Sequence, residues 1–162
     1  METLGVDIGG VIIDKMNDKT DTSFFSRNYL QTTATPHSFR VLAKLSVGRF
    51  GKNIHLVSKA GEDTQARTRE WLAYHKFFEK TGIPESNLHF CLERHEKRPI
   101  CEQLKVTHFI DDRMEVLSHL INLVPNLYLF NASTVEITQF KSILRKVKRV
   151  DNWLECERRL QD

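Results

Sequence analysis

The feature that most constrains this chain is an alternation. Short apolar runs of strand length recur between longer stretches with helical spacing. "TLGVDI" (3–8), "NIHLVS" (53–58), "LHFC" (88–91), "THFID" (107–111) and "NLYLF" (126–130) read as five strands. Helical stretches are expected from about Pro36 to Phe50 and from Glu62 to Lys80, the latter with acids in its first turn, where the helix dipole favours them. A short helix is expected after Pro99 and another after Arg113. A last one is expected from Ser133, an N-cap with Glu136 three residues on as a capping box. Continuously apolar strands alternating with helices specify an α/β fold, with a parallel sheet covered on both faces. A Rossmann-like sheet of about five strands is expected.

In such sheets function gathers outside the carboxyl ends of the strands. Three of the five runs end in a polar group suited to chemistry, at Asp7, Ser58 and Asp111. An acid after a strand is commonly a turn former or a helix cap. Three polar ends brought to one edge of one sheet form a candidate site.

Composition narrows the function classes. The 162 residues suit one domain, 1–162, and do not comfortably hold two lobes with a cleft between them. Hydrophobic residues at 40% and charged residues at 28% are a soluble globular profile. No apolar run reaches the roughly 18 residues of a membrane span, and the N-terminus enters the first strand without a signal-like leader. The net charge of +3 is a mild bias, concentrated in "KSILRKVKRV". There Phe140, Ile143, Leu144 and Val147 fall at helical spacing, so the basic residues read as the wet side of an amphipathic helix and no nucleic-acid partner is expected. Three cysteines without CxxC spacing, Cys91, Cys101 and Cys156, fit reduced thiols in the cytoplasm. His89, Cys91 and His95 lie close enough to suggest zinc, but "LHFC" reads better as a strand. Residues 14–35 fit neither period and are expected to form an irregular insertion or flap. Asp14, at its start, reads as a surface turn or as facing the site entrance.

The opening "GVDIGGVIID" (5–14) joins an aspartate to a glycine pair. It resembles the first phosphate-binding hairpin of sugar kinases of the actin-like ATPase fold. Those proteins need two lobes and further phosphate motifs, and none is visible here. Over most of its length the chain resembles instead the haloacid dehalogenase (HAD) superfamily. Asp7 in "VDIGGVIID" matches the nucleophile of motif I, and Ser58 in "HLVSKAG" matches motif II. Lys97 in "HEKRPICEQL" matches the motif III lysine, and Asp111 and Asp112 in "THFIDDR" match motif IV. The portion "LVSKAG…TREWL…FIDDR" is similar to the small 5'-nucleotidase-like branch. The resemblance implies a HAD-type fold with minimal or no cap and a Mg²⁺-dependent phosphohydrolase acting on a small phosphorylated substrate. Mg²⁺ would be held by Asp7, Asp111, Asp112 and the carbonyl of Gly9. Ser58 and Lys97 would meet the phosphoryl group, and Lys59 is placed to meet substrate. Lys97 otherwise reads as an exposed lysine in "ERHEKR". Its rival, Lys105, reads as a turn before the fourth strand.

The residue types make chemical sense. A carboxylate nucleophile and a phosphoryl group repel each other, and a divalent cation with hard oxygen ligands removes that repulsion. One departure stands out. Phosphatases of this superfamily read Asp-x-Asp in motif I, the second acid protonating the leaving oxygen and then activating water. Here the pair is Asp7 and Gly9. Glycine keeps its carbonyl for a metal but lacks the acid–base group, a role typically worth about 10²–10⁴-fold. A slow or atypical phosphohydrolase is therefore expected. A different chemistry on an aspartyl intermediate, or a catalytically inactive phosphate-binding protein, is the alternative.

Overall fold

Six strands, all parallel, form one sheet in the order β3-β2-β1-β4-β5-β6. They are seen in a computed structural model that describes residues 1–15 and 28–161. The strands are β1 (Leu4–Val6), β2 (Ile54–Lys59), β3 (Leu88–Cys91), β4 (His108–Asp111), β5 (Asn126–Phe130) and β6 (Lys148–Val150). Among them run α1 (Ser38–Val47), α2 (Glu62–Tyr74), α3 (Phe77–Thr81), α4 (Lys97–Leu104), α5 (Met114–Leu120), α6 (Thr134–Gln139) and α7 (Trp153–Leu160).

Continuous apolar strands serve two cores at once, because successive side chains point to opposite faces. On one face Val6, Leu56, Ile110, Tyr128 and Phe130 pack with Leu42 of α1, Trp71 of α2, Phe77 of α3 and Trp153 of α7. On the other, Val57, Phe109, Leu127 and Leu129 pack with Cys101 of α4 and with Met114, Leu117 and Leu120 of α5. Gly5 of β1 faces Phe109 across the ladder. A Cβ there would lie 2.5 Å from the Phe109 ring, so the glycine is a packing requirement. The two buried indoles have hydrogen-bond partners: Trp71 Nε1 donates to the Thr32 carbonyl at 2.9 Å and Trp153 Nε1 to the Val11 carbonyl at 2.7 Å. The second bond ties α7 to the turn after β1.

All five expected strands are present, and a sixth joins them. β6 is short, and its Lys148 and Arg149 are exposed while Val150 is buried, as suits an edge strand. That charge hides it from hydropathy. The amphipathic helix expected over Phe140–Val147 is instead a 3-10 stretch, Lys141–Lys146, leading into β6. Its apolar residues still pack on the sheet, so the apolar face was legible and the backbone was not. The helix expected over Glu62–Lys80 is broken at Lys76, which adopts a left-handed conformation (φ 54°). The break turns Phe77 into the core, edge-on to Phe39 at 5.0 Å. The first helix is shorter than Pro36–Phe50, ending at Gly48. Lys105 is the left-handed cap of α4, the turn expected for it. Helix α7 had no counterpart in the sequence reading; Asn152 caps it by accepting from the Glu155 N–H at 2.9 Å.

Of the expected irregular segment 14–35, residues 16–27 lie outside the described residues. Its described part holds a 3-10 turn, Tyr29–Gln31, and a bridge between Ile13 and Ala34. Among the described residues no cap domain covers the sheet edge, and no helix is long and apolar enough to cross a membrane. The three cysteines are free and buried. No zinc cluster forms around His89, Cys91 and His95 among the described residues.

His89 instead meets His55 of the neighbouring strand, Nδ1 of His55 lying 2.9 Å from Nε2 of His89. One ring must accept while the other donates. Burial, and then the charge of His89, pushes His55 down to about 4, and burial lowers His89 as well. Between about pH 4 and 6.5 the unfolded chain therefore holds a proton on residue 55 that the folded chain does not. Stability rises with pH across that window and levels off above it. Urea midpoints measured from pH 4 to 7 should climb more steeply for the native chain than for His55→Gln.

Candidate active site

The strand order reverses at β1, whose neighbours β2 and β4 are reached by connections running to opposite sides. The crevice at such a switch point opens at the carboxyl ends of the strands. Asp7 follows β1 directly, and its N–H donates to the Ile110 carbonyl at 3.0 Å. Asp111 is the last residue of β4. One hydrogen bond of the β1–β4 ladder thus sets two carboxylates side by side. Asp112 follows, and carboxylate oxygens of Asp7, Asp111 and Asp112 all lie within 4.8 Å of one another.

Lys97, the first residue of α4, reaches between them. Its Nζ donates to Asp7 Oδ1 at 3.0 Å and to Asp111 Oδ2 at 2.8 Å. The side chain is not the exposed lysine that its charged surroundings suggest; it is 1% accessible. Asp111 is also fully buried, and its Oδ1 accepts the Arg113 N–H at 2.9 Å.

The turn after Asp7 is wound tightly. The Ile8 carbonyl accepts from the N–H groups of Val11, Ile12 and Ile13, and the Gly10 N–H donates back to the Ile13 carbonyl at 2.9 Å. Ile8, Val11, Ile12 and Ile13 are buried, which pins the turn to the core. Gly10 has φ 81°, and a Cβ there would stand 2.4 Å from Asp112 Oδ2. Only glycine lets Asp112 come so close. Gly9 differs: it is exposed, and a Cβ there would meet nothing within 4 Å. Position 9 has room for a side chain and none is present.

These groups line a pocket of about 300 Å³, at the small end of ligand sites. All seven residues singled out in the sequence face it: Asp7, Gly9, Ser58, Lys59, Lys97, Asp111 and Asp112. Ser58 lies in β2 and is nearly buried, with Lys59 exposed beside it at the strand end. Asp14 also lines the pocket, the second of its two sequence readings, and the structure adds Gly10, Lys15, Thr64, Thr68, Arg94 and Arg113. The glycine doublet was a visible signal for Gly10. The threonines of α2 and the arginines carry no local signature. Arg94 pairs with Glu115, and Arg113 Nη1 lies 3.8 Å from Glu136 Oε1. Glu136 corrects another expectation. Ser133 does cap α6 by accepting from the Glu136 N–H at 3.2 Å, but the Glu136 carboxylate turns to the Met114 N–H, at 3.1 Å, at the start of α5.

The electrostatics show an excess of negative charge. Burial, followed by the charge of Asp7, pushes Asp111 up to about 6 against the opposing pull of Lys97. Burial and the charges of Asp7 and Asp111 push Asp112 well above the usual carboxylate range, with Lys15, 3.7 Å away, opposing. For Lys97 burial favours the neutral amine, but the charges of Asp111 and Asp7 and its bonds to them outweigh it, and its pKa stands above the ordinary lysine value. Two of the three carboxylates share one buried ammonium, and the third, Asp112, has the exposed Lys15 at 3.7 Å. The oxygen donors and the surplus charge fit a hard divalent cation.

Comparison with known proteins agrees with this architecture. The fold is that of HAD-like hydrolases. The chain is similar to D,D-heptose 1,7-bisphosphate phosphatase from B. bronchiseptica, solved with magnesium and phosphate: 14% identity, TM-score 0.66, covering 99% of this chain and 98% of that one. The corresponding phosphatase from Burkholderia thailandensis gives 11% identity and TM-score 0.61, over 98% and 97% of the two chains. A protein from Burkholderia xenovorans LB400 described as haloacid dehalogenase-like gives 9% identity and TM-score 0.61, over 98% and 96%. No protein-family model and no curated protein matches the sequence.

Removing the ammonium should expose what it offsets. Lys97→Met is expected to cost about 3–5 kcal/mol, because it leaves buried carboxylates unpaired. The loss should be read in urea denaturation with EDTA present. Lowering the pH from 7.5 to 5 should recover part of it, since the unpaired acids then take up protons.

Proposed function

We propose that this chain is a phosphohydrolase of HAD type, dependent on Mg²⁺ and acting on a small phosphorylated substrate, with residues 1–162 working as one domain. The observation that carries this reading is the buried arrangement of Asp7, Asp111, Asp112 and Lys97 at the switch-point edge. The fold's similarity to a phosphatase solved with magnesium and phosphate supports it.

Asp7, Asp111, Asp112 and the carbonyl of Gly9 are the groups that would hold Mg²⁺, which when bound supplies the charge neutralisation that lets one anion approach another. Asp7 is the nucleophile. Lys97 fixes its Oδ1, which leaves Oδ2 to attack phosphorus. Lys97 also offsets charge on the transferring group. The Ser58 hydroxyl donates to a phosphoryl oxygen, and Lys59 meets the substrate at the rim. Without a side chain at position 9, turnover is slow compared with a complete Asp-x-Asp pair. A nucleoside monophosphate, suggested by the 5'-nucleotidase-like stretches, is the first natural substrate to assay.

The open space at Gly9 favours a second reading, a phosphate-binding protein that has lost turnover. Both readings expect Mg²⁺ and beryllofluoride to bind at Asp7, so turnover separates them. With Mg²⁺ and an aryl phosphate, the native chain should release phosphate and Asp7→Asn should not. Release by Gly9→Asp alone, with the native chain silent, would assign the native protein to binding.

A further inference from the structure

We infer that Asp14 is the proton donor and acceptor of this site, doing the work of the side chain that Gly9 lacks. The inference rests on the phosphohydrolase reading above and names a residue for the step which that reading leaves empty.

Three observations carry it. The first is the path of the chain. The turn after β1 doubles back, with Gly10 N–H bonded to the Ile13 carbonyl and Gly9 bridged to Ile13. Asp14, the next residue, therefore returns beside the backbone of Gly9, and both line the same pocket as Asp7. Its own N–H donates to the Thr33 carbonyl at 2.9 Å, which fixes its backbone there. Sequence alone left Asp14 between a surface turn and a place facing the site entrance; the doubling back brings it into the pocket lining.

The second is the space. A Cβ on Gly9 meets nothing within 4 Å, so no described side chain occupies the space beside position 9, which lines the same pocket as Asp7 and Asp14. A leaving oxygen or a water can stand there.

The third is elimination among the described lining residues. The pocket presents no His, Glu, Cys or Tyr. Asp7 and Asp111 are bonded to Lys97, and Asp112 lies against both of them and against Lys15. The rim cations Lys15, Lys59, Arg94 and Arg113, while charged, have no lone pair with which to take a proton from water. Asp14 is the carboxylate that remains. Among the described residues it makes no ion pair, and its Oδ2 accepts one long hydrogen bond, from Thr33 Oγ1 at 3.4 Å.

The proton balance is simple. In the first half, Asp7 Oδ2 forms a bond to phosphorus while the bond from phosphorus to the leaving oxygen breaks. The Asp14 carboxyl gives its proton to that oxygen, and the alcohol departs. In the second half, water attacks phosphorus and passes a proton to the Asp14 carboxylate. The bond between Asp7 and phosphorus breaks, returning a free Asp7 carboxylate, inorganic phosphate and a protonated Asp14.

The test compares native, Asp7→Asn, Asp14→Asn and Asp14→Asn with Gly9→Asp, using Mg²⁺ and two substrates. 4-Nitrophenyl phosphate has a leaving group that needs no proton; glycerol phosphate has one that does. Asp14→Asn should lose about 10²–10⁴-fold with glycerol phosphate. With 4-nitrophenyl phosphate it should release a burst of nitrophenol, then stall with a phosphoryl adduct on Asp7 visible by mass spectrometry after acid quench. Adding Gly9→Asp should restore turnover and clear the adduct. Native rates in Asp14→Asn with both substrates, while Asp7→Asn is dead, would overturn the role of Asp14 and leave the phosphohydrolase reading standing. An equal loss on both substrates, with no adduct and no rescue, would assign Asp14 a structural part and also overturn it. A native chain with no Mg²⁺-dependent turnover would overturn both.

Discussion

One buried ammonium holds the working edge of this molecule together. Lys97 lies between Asp7 and Asp111, two carboxylates that the β1–β4 pairing forces into proximity. Like charges so close and so far from water repel strongly. Burial first, and then the charge of Asp7, raise Asp111 to about 6 against the pull of that ammonium. A buried pair of this kind is weak evidence for stability, since desolvation takes back much of the attraction. Its presence at a strand-end crevice is better explained by chemistry. The oxygen donors of Asp7, Asp111 and Asp112 gathered there fit a hard divalent cation.

The turn after β1 shows how backbone shape and electrostatics are coupled. The two adjacent glycines have different physical tasks. Gly10 takes a left-handed conformation and clears a path for the Asp112 carboxylate. Gly9 clears nothing; the space above it is open. A reading that treats the doublet as one flexible unit misses this. The first glycine subtracts a functional group from the site, and the second permits one to enter it. The buried Ile8, Val11, Ile12 and Ile13 make the turn rigid, so what stands over it is positioned by the core.

The remainder of the fold supports that edge from two sides. α1, α2, α3 and α7 cover one face, while α4 and α5 cover the other. α4 has a double role, since the helix that seals the second core also begins with Lys97. Trp153 of α7 bonds to the Val11 carbonyl, so the last helix braces the turn that carries Asp7. The candidate site thus draws on elements from both ends of the chain.

Alternating apolar runs and helical spacings were enough to specify a parallel α/β sheet, because strands buried on both faces must be apolar throughout. They also placed Asp7, Ser58 and Asp111 at strand ends, and strand ends of a parallel sheet share one edge. What failed in the sequence failed for physical reasons. β6 is charged because it is an edge, the Phe140–Val147 face packs in a 3-10 geometry with nearly the same periodicity as a helix, and the break at Lys76 answers to Phe77 finding the core. Side-chain burial was the least legible of all. Lys97 sits in a run of charges and looks solvated, yet the arrival of α4 against β1 and β4 buries it completely. The chain by itself determined which residues stand at the ends of strands, since that follows from local pattern. Only the tertiary structure decided which of them touch and what stands beside the gap at Gly9, because those are distances between segments far apart in sequence.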